Sequence, residues 1–333
     1  MAEHKILELP GFTTQNGITF DAKLAYQTYG ALNSARDNVV LMPTFYGGRH
    51  TDTEYFMAPG RVLDPDKYFV VIPNMFGNGL SSSPSNTSGA VGRGAFPLLT
   101  LYDNVQAQHR LLTEQLGVEH IRLVVGFSMG AQQTFQWGAL YPEMISAIAP
   151  ICGSARTSPH NHLMIDGPKC ALMTDPDFAE GWYEHPPVKG LLAFGRVYAG
   201  WLWSQTFFRE RLYENLGLDS VEDVVRFTQN YFLQNDANDL LAMANTWQHG
   251  DISDNDKFRG DFDAALDAIS CRAIVMPATT DLYFRVPDNE YEVSKMPNAE
   301  LRPIVSDYGH AAGFGASEAD NAFIDAALSD LLG

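Results

Sequence analysis

The stretch IRLVVGFSMGAQQTFQW, residues 121–137, passes from an apolar, strand-like segment through Gly-Phe-Ser-Met-Gly straight into a helical pattern. A Ser between two glycines is usually an ordinary tight turn. Gly-x-Ser-x-Gly alone carries little weight, because it should arise by chance in roughly one chain of this length in ten. Its setting carries more. A strand rich in β-branched residues precedes it and a helix follows at once, the arrangement in which a strained turn lifts a Ser hydroxyl above a sheet. Glycines flank the turn because a side chain there would meet the neighbouring strand and helix. Ser128 also stands at a helix N-terminus, whose free N–H groups and dipole favour a developing anion.

Further short apolar runs lie at 38–45 (NVVLMPTF), 67–76 (KYFVVIPNMF), 145–152 (ISAIAPIC), 271–278 (CRAIVMPA) and 300–305 (ELRPIV). Several are continuous rather than alternating, as strands covered on both faces of a parallel sheet should be. Between them, 98–117 and 130–143 have helical patterns, with Gly117 at a C-cap position. Residues 18–30 (ITFDAKLAYQTYG) alternate instead, which predicts a half-exposed antiparallel strand. These alternating strand and helix signals imply an α/β fold, a mostly parallel sheet with helices on both faces. From about 155 to 268 the strand signal fades and tryptophan-rich helical stretches take over. The expected organisation is therefore a core of residues 1–154 and 269–333 with a helical lid at 155–268.

Composition removes other classes. The chain has 333 residues, 45% hydrophobic and 12% aromatic, an ordinary globular balance. A formal charge of −18 argues against binding a phosphate backbone, so nucleic acid is not an expected partner. No apolar run approaches the roughly 18 residues of a membrane span. The N-terminal MAEHKILELPGF lacks a basic segment followed by an apolar one, so a cytoplasmic location is expected. Cys152, Cys170 and Cys271 match no zinc or redox spacing and read as small buried hydrophobes. Neither a metal nor a cofactor is called for.

A Ser hydroxyl needs a base, and the base needs an orienting third group. In sites of this construction the order along the chain is Ser, acid, His. His310, in VSDYGHAAGFG, follows the last strand-like run in a Gly-flanked loop and is the expected base. His4, His109 and His120 are explained by solvation, while His160, His162, His185 and His249 fall in the helical insertion. Asp281 stands directly beyond the apolar run of AIVMPATTDLYF and is the expected acid, with Asp307, three residues before His310, as its rival. The oxyanion hole should combine the amide of Met129 with one from MPTFYGG (42–48): Phe45, or Tyr46 as the alternative.

The segment GFSMGAQQTFQWGALYPEMISAIAPICGSARTSPHN resembles the Gly-Gly-Ser-Met-Gly region of the homoserine O-acetyltransferase family, whose members have the α/β-hydrolase fold and a helical lid. The likeness extends over nearly the whole chain, through LDPDKYFVVIPNMFGNGLSSSPS, QNDANDLLAMANTWQHGDIS, DLYF and GHAAGF. It implies that Ser128, Asp281 and His310 occupy the catalytic positions and that Phe45 falls on an oxyanion donor. It also implies a homodimer paired through lid helices. There are departures. Pro43-Thr44-Phe45-Tyr46-Gly47 replaces the family's His-Ala-Leu-Thr-Gly. Arg196 matches the Arg that grips the amino-acid carboxylate only if one residue is inserted, and it could equally be a structural ion pair. Trp203 stands where the transferases use a Tyr. With Tyr46, these two are the expected substrate-binding residues. Losing the Tyr hydroxyl and adding apolar bulk suits a small apolar ester, so an esterase for short-chain esters, acetyl esters first, is expected. Homoserine (or another hydroxy-amino acid) O-acetyltransferase, using acetyl-CoA, is the alternative. A non-catalytic interaction protein is a third class, which failure of an organophosphonate to label Ser128 would revive.

Overall fold

A single eight-stranded sheet runs through the computed structural model, which describes residues 4–333. The first three residues of the N-terminal stretch discussed above lie outside it. The strands are β1 (Lys5–Thr13), β2 (Thr19–Tyr29), β3 (Val39–Leu41), β4 (Phe69–Pro73), β5 (Ile121–Phe127), β6 (Ile145–Ile151), β7 (Arg272–Val275) and β8 (Ala299–Leu301). Their spatial order is β1-β2-β4-β3-β5-β6-β7-β8, parallel from β4 to β8, with β1 and β2 antiparallel at one edge. Each of the six apolar runs holds or overlaps a parallel strand, and the alternating run is β2.

β1 went unforeseen because Pro10 and Gly11 interrupt its pattern. Pro10 cannot donate to a ladder, which an edge strand tolerates. The register against β2 shifts between Leu9 and Phe12, where Gly11 has φ +62°.

The parallel strands are apolar throughout because both faces are covered. α1 (Leu101–Arg110) and α2 (Met129–Leu140) lie between β4 and β6 in sequence. Five helices follow β6: α3 (Pro159–Met173), α4 (Val188–Leu202), α5 (Gln205–Arg209), α6 (Val221–Phe232) and α7 (Ala237–Gln248). Then come α8 (Phe262–Asp267), α9 (Val286–Lys295) and α10 (Glu318–Leu332). Val39 and Leu41 of β3 join Phe135 and Trp137 of α2 in one core, whereas Val40 joins Ile324 and Leu328 of α10 in the other. This is the two-residue side-chain period of a strand read out in packing.

α1 starts where Thr100 and Asp103 cap one another: Thr100 N donates to Asp103 Oδ2 at 2.8 Å and Asp103 N to Thr100 Oγ1 at 3.2 Å. Ser158, Ser204, Ser220 and Asp236 cap α3, α5, α6 and α7 in the same way, each side-chain oxygen accepting a backbone N–H. α4 packs between α3 and α6. At the α4–α6 contact, a Cβ on Gly195 would lie 2.7 Å from Gln229 Cα, so the helices meet with no side chain between them. α8 falls inside the stretch expected in the lid, yet Phe262, Ala265 and Leu266 pack in the core with α2. Cys152 and Cys271 are buried as expected, but Cys170 is exposed, on a turn of α3 that faces away from its neighbours. No helix among the described residues is long and apolar enough to cross a membrane.

Candidate active site

β5 delivers Ser128 into a turn that an L-residue seldom adopts, φ +59° and ψ −124°. Close packing holds it there. A Cβ on Gly126 would lie 2.2 Å from Gly130 O, and one on Gly130 would lie 2.6 Å from Pro43 O. Strand, helix and the 42–48 loop therefore touch backbone to backbone, which only glycine permits. Ser128 N donates to Ile151 O at 2.9 Å, tying the turn to the end of β6.

His310 comes from the short helical turn Gly309–Phe314, and Asp281 from the turn after β7. Asp281 Oδ1 accepts from the amides of Tyr283 (3.0 Å) and Phe284 (3.1 Å), leaving Oδ2 to face His310 Nδ1 at 2.6 Å. A carboxylate can only accept, so Nδ1 carries the hydrogen and Nε2 is left to accept. Nε2 lies 2.9 Å from Ser128 Oγ. The imidazole is held between the rings of Phe127 (4.6 Å) and Tyr283 (4.4 Å). Ser128 and His310 are each 3% exposed and Asp281 is fully buried. Asp307 is at the surface, and its carbonyl accepts from Ser204 Oγ.

Among the described residues, neither the Phe45 nor the Met129 amide donates a hydrogen bond within the chain. The loop carrying Phe45 is pinned from behind. Gln133 Nε2 donates to Thr44 O (2.9 Å) and to Met129 O (3.2 Å), so one side chain ties both amide-bearing segments together. Gln133 Oε1 accepts from Gln108 Nε2 (2.6 Å), and Gln108 Oε1 accepts from Trp137 Nε1 (2.8 Å). The Phe45 ring packs on Phe127 and Phe314.

A second brace holds the segment after β6. Glu292, 2% exposed on α9, accepts from Ala155 N at 2.7 Å and from Asn289 Nδ2 at 2.6 Å, while Asn289 also donates to Gly153 O at 2.9 Å. Burial pushes the Glu292 carboxyl up to about 8. Gly153 lies against the elbow, its would-be Cβ 2.8 Å from Ser128 O. Neither brace was foreseen from the sequence. Gln108 and Gln133 were readable as amides in helical stretches with too little polar surface, but their pairing needed the fold.

The three residues expected to bind substrate fall in three places. Tyr46 is buried over the site, stacked on Tyr198 (6.0 Å), with its hydroxyl donating to Leu240 O at 3.0 Å. Trp203 is buried behind His310: it stacks on Phe207 at 4.2 Å, and it clusters with Ala311 of the His310 turn. Arg196 does not reach the site. Its guanidinium pairs with Glu222 at 2.5 Å, both side chains 54% exposed, which is the ion-pair alternative. The spacing that suggested a substrate contact puts Arg196 on the outer side of α4, away from the buried face of Leu191, Phe194 and Tyr198.

Cys152 Sγ, Asp281 and His310 lie within 4.8 Å of one another. Burial holds the Cys152 thiol well above its ordinary range, so it stays protonated and is a poor metal ligand. Asp281 and His310 are already paired with each other. The cluster is organised as an acid–base pair.

A family model of the alpha/beta hydrolase fold matches residues 37–316. The chain belongs to the α/β-hydrolase family. This α/β hydrolase is 40% identical to an ethyl acetate hydrolase of Pseudomonas veronii, over 93% of this chain and 89% of that one. It superposes on the crystal structure of the acetyl esterase MekB with a TM-score of 0.96, at 38% identity over 99% and 97% of the two chains. A homoserine O-acetyltransferase of Chlorobium chlorochromatii is 29% identical over 90% of this chain and 88% of that one.

Proposed function

We propose that this α/β hydrolase is a serine ester hydrolase for short-chain esters, acetates above all, with Ser128, His310 and Asp281 as its triad. The observation that carries the reading is the buried relay of Ser128 Oγ, His310 Nε2, His310 Nδ1 and Asp281 Oδ2, at 2.9 and 2.6 Å. Ser128 Oγ attacks the ester carbonyl as Nε2 takes its proton, and Asp281 stabilises the imidazolium without becoming protonated. The amides of Phe45 and Met129 receive the oxyanion. The C–O bond to the alcohol breaks as Nε2 returns the proton to the leaving oxygen. Water, deprotonated by the same nitrogen, then attacks the acyl-enzyme and frees the acid and Ser128.

The acetyltransferase alternative shares the first half of this cycle and differs in the acceptor. It needs a cation to hold the homoserine carboxylate. The outward pairing of Arg196 with Glu222 favours the hydrolase, as do relatives that hydrolyse ethyl acetate and acetyl esters. The direct test runs ethyl acetate hydrolysis beside O-acetylhomoserine synthesis from acetyl-CoA. Hydrolysis is expected to dominate, and faster synthesis would overturn the reading.

On the same reading, helices α3 to α7 contribute the lid and the protein is a homodimer through it. Supporting this, Leu163 and Met173 on α3, Val188 on α4 and Phe227 on α6 are large, apolar and exposed. A monomeric mass by light scattering at micromolar concentration would count against the dimer.

A further inference from the structure

One buried group beside the triad takes no part in its proton transfers. Cys152 follows β6 directly and has no exposed surface, and its backbone is held at φ +47°, where a residue with a side chain is strained. Its amide donates to Met276 O at 2.9 Å, which fixes it there. A glycine would adopt that backbone freely. What the side chain adds is one sulfur atom, within 4.8 Å of the facing atoms of Asp281 and His310. The thiol is no second nucleophile, since no surface reaches it and burial keeps it protonated.

The sulfur lies at the joint between two turns. The amides of Ala278 and Gly313 both point to it, and a thiol sulfur can accept weakly from each. Ala278 opens the turn that carries the acid: its carbonyl accepts from Asp281 N at 3.2 Å, and among the described residues its own amide donates to no backbone oxygen. Gly313 stands three residues after His310 in the same helical turn, so close that a Cβ there would lie 2.7 Å from Cys152 Sγ. At the partly exposed edge the two turns are joined by Thr280, whose hydroxyl donates to Ser306 O at 2.7 Å and accepts from Gly309 N at 3.0 Å. In the interior they are joined by Cys152.

Resting on the ester-hydrolase reading and its triad, we propose that Cys152 is a positioning residue: its sulfur seats the turn of Asp281 against the turn of His310 and so sets the hydrogen bond between Oδ2 and Nδ1. That bond is 2.6 Å long and holds the imidazole in the tautomer and orientation the reaction needs. Without the sulfur, the Thr280 clasp remains at the edge but the interior joint is empty, and Asp281 can tilt away from Nδ1. The sulfur touches no substrate, so its loss should spare binding and slow the proton transfers.

The test is Cys152→Ala, read by ethyl acetate hydrolysis and by the proton NMR resonance of His310 Nδ1–H, which a short bond to a carboxylate moves far downfield. kcat should fall about 10-fold with KM within about 2-fold of wild type, and the resonance should move upfield or be lost to exchange. Cys152→Ser, which keeps an acceptor in that place, should return kcat to within about 3-fold of wild type. If Cys152→Ala does not fold, Cys152→Gly takes its place with the same losses expected, because glycine is at ease at this φ. The proposal is overturned if Cys152→Ala keeps kcat within about 2-fold, if it leaves the resonance in place, or if Cys152→Ser is no better than Cys152→Ala. The sulfur then only fills space, and the hydrolase reading stands. If the wild-type protein does not hydrolyse ethyl acetate, the hydrolase reading itself fails, and the resonance alone decides whether the sulfur sets the Asp281–His310 contact.

Discussion

Beneath Ser128, three backbone segments touch through glycines and a chain of paired amides runs from Trp137 to Thr44 O. Above it, large rings meet edge and face, and polar atoms are left unpaired. The floor holds atoms that must not move by tenths of an ångström between one substrate and the next. The roof holds shape and apolar surface, which tolerate exchange. Chemistry should therefore be lost through the floor and selectivity altered through the roof.

The largest expected effect breaks the floor at its centre. Ser128→Ala should lower kcat by about 10⁴-fold or more while leaving the melting temperature close to wild type, since only one hydroxyl is removed. Retained turnover would overturn the triad. Asp281→Asn should come near this loss, and a larger loss from Asp307→Asn would reassign the acid.

One step outward, Gln133→Leu removes the donor to Thr44 O and Met129 O without emptying the space. If Gln133 positions the oxyanion amides, kcat should fall about 10- to 100-fold with little change in KM. A fall in melting temperature at unchanged kcat would make it a packing residue only.

Glu292 sharpens the comparison through pH. Its carboxyl titrates near 8 in the fold, against an ordinary value near 4.5, so folding favours the protonated form. Below about pH 4.5 both states are protonated and the group has no effect. As pH rises to about 8 the unfolded chain ionises first, so this group makes the fold progressively less stable. Glu292→Gln, which mimics the protonated form, should flatten that slope and be more stable than wild type at pH 8. Equal slopes in the two proteins between pH 5 and 8 would refute the assignment.

The smallest effect is expected far from both layers. Arg196→Ala breaks an exposed ion pair worth at most about 1 kcal/mol and should leave acetate hydrolysis within about 2-fold. A 10-fold loss would return Arg196 to the substrate.

Much of this was readable in the residue string, for reasons that differ by region. The parallel strands announced themselves because both faces are buried, and the elbow because its glycines have no freedom to vary. Ser128, Asp281 and His310 were placed by chain order and by the ends of strands, which are local signals. β1 was missed because Pro10 and Gly11 break its alternation. Arg196 misled because a helix offers several faces and spacing alone does not say which one turns inward. The Gln108–Gln133 and Asn289–Glu292 pairs span 25 and 3 residues and acquire meaning only from what they brace, Thr44 O and the 153–155 segment. Burial patterns are written in the sequence. Hydrogen-bond partners across the fold are not.

The contact of Gly126 with Gly130, and of Gly130 with Pro43, also constrains substitution. A Cβ at either glycine strikes backbone, which cannot rotate out of the way as a side chain can. A substitution at either position must displace a strand, a helix or the 42–48 loop, whereas a change of ring in the roof displaces only side chains. The setting of Ser128 is therefore fixed by main chain, and the space above it by exchangeable side chains.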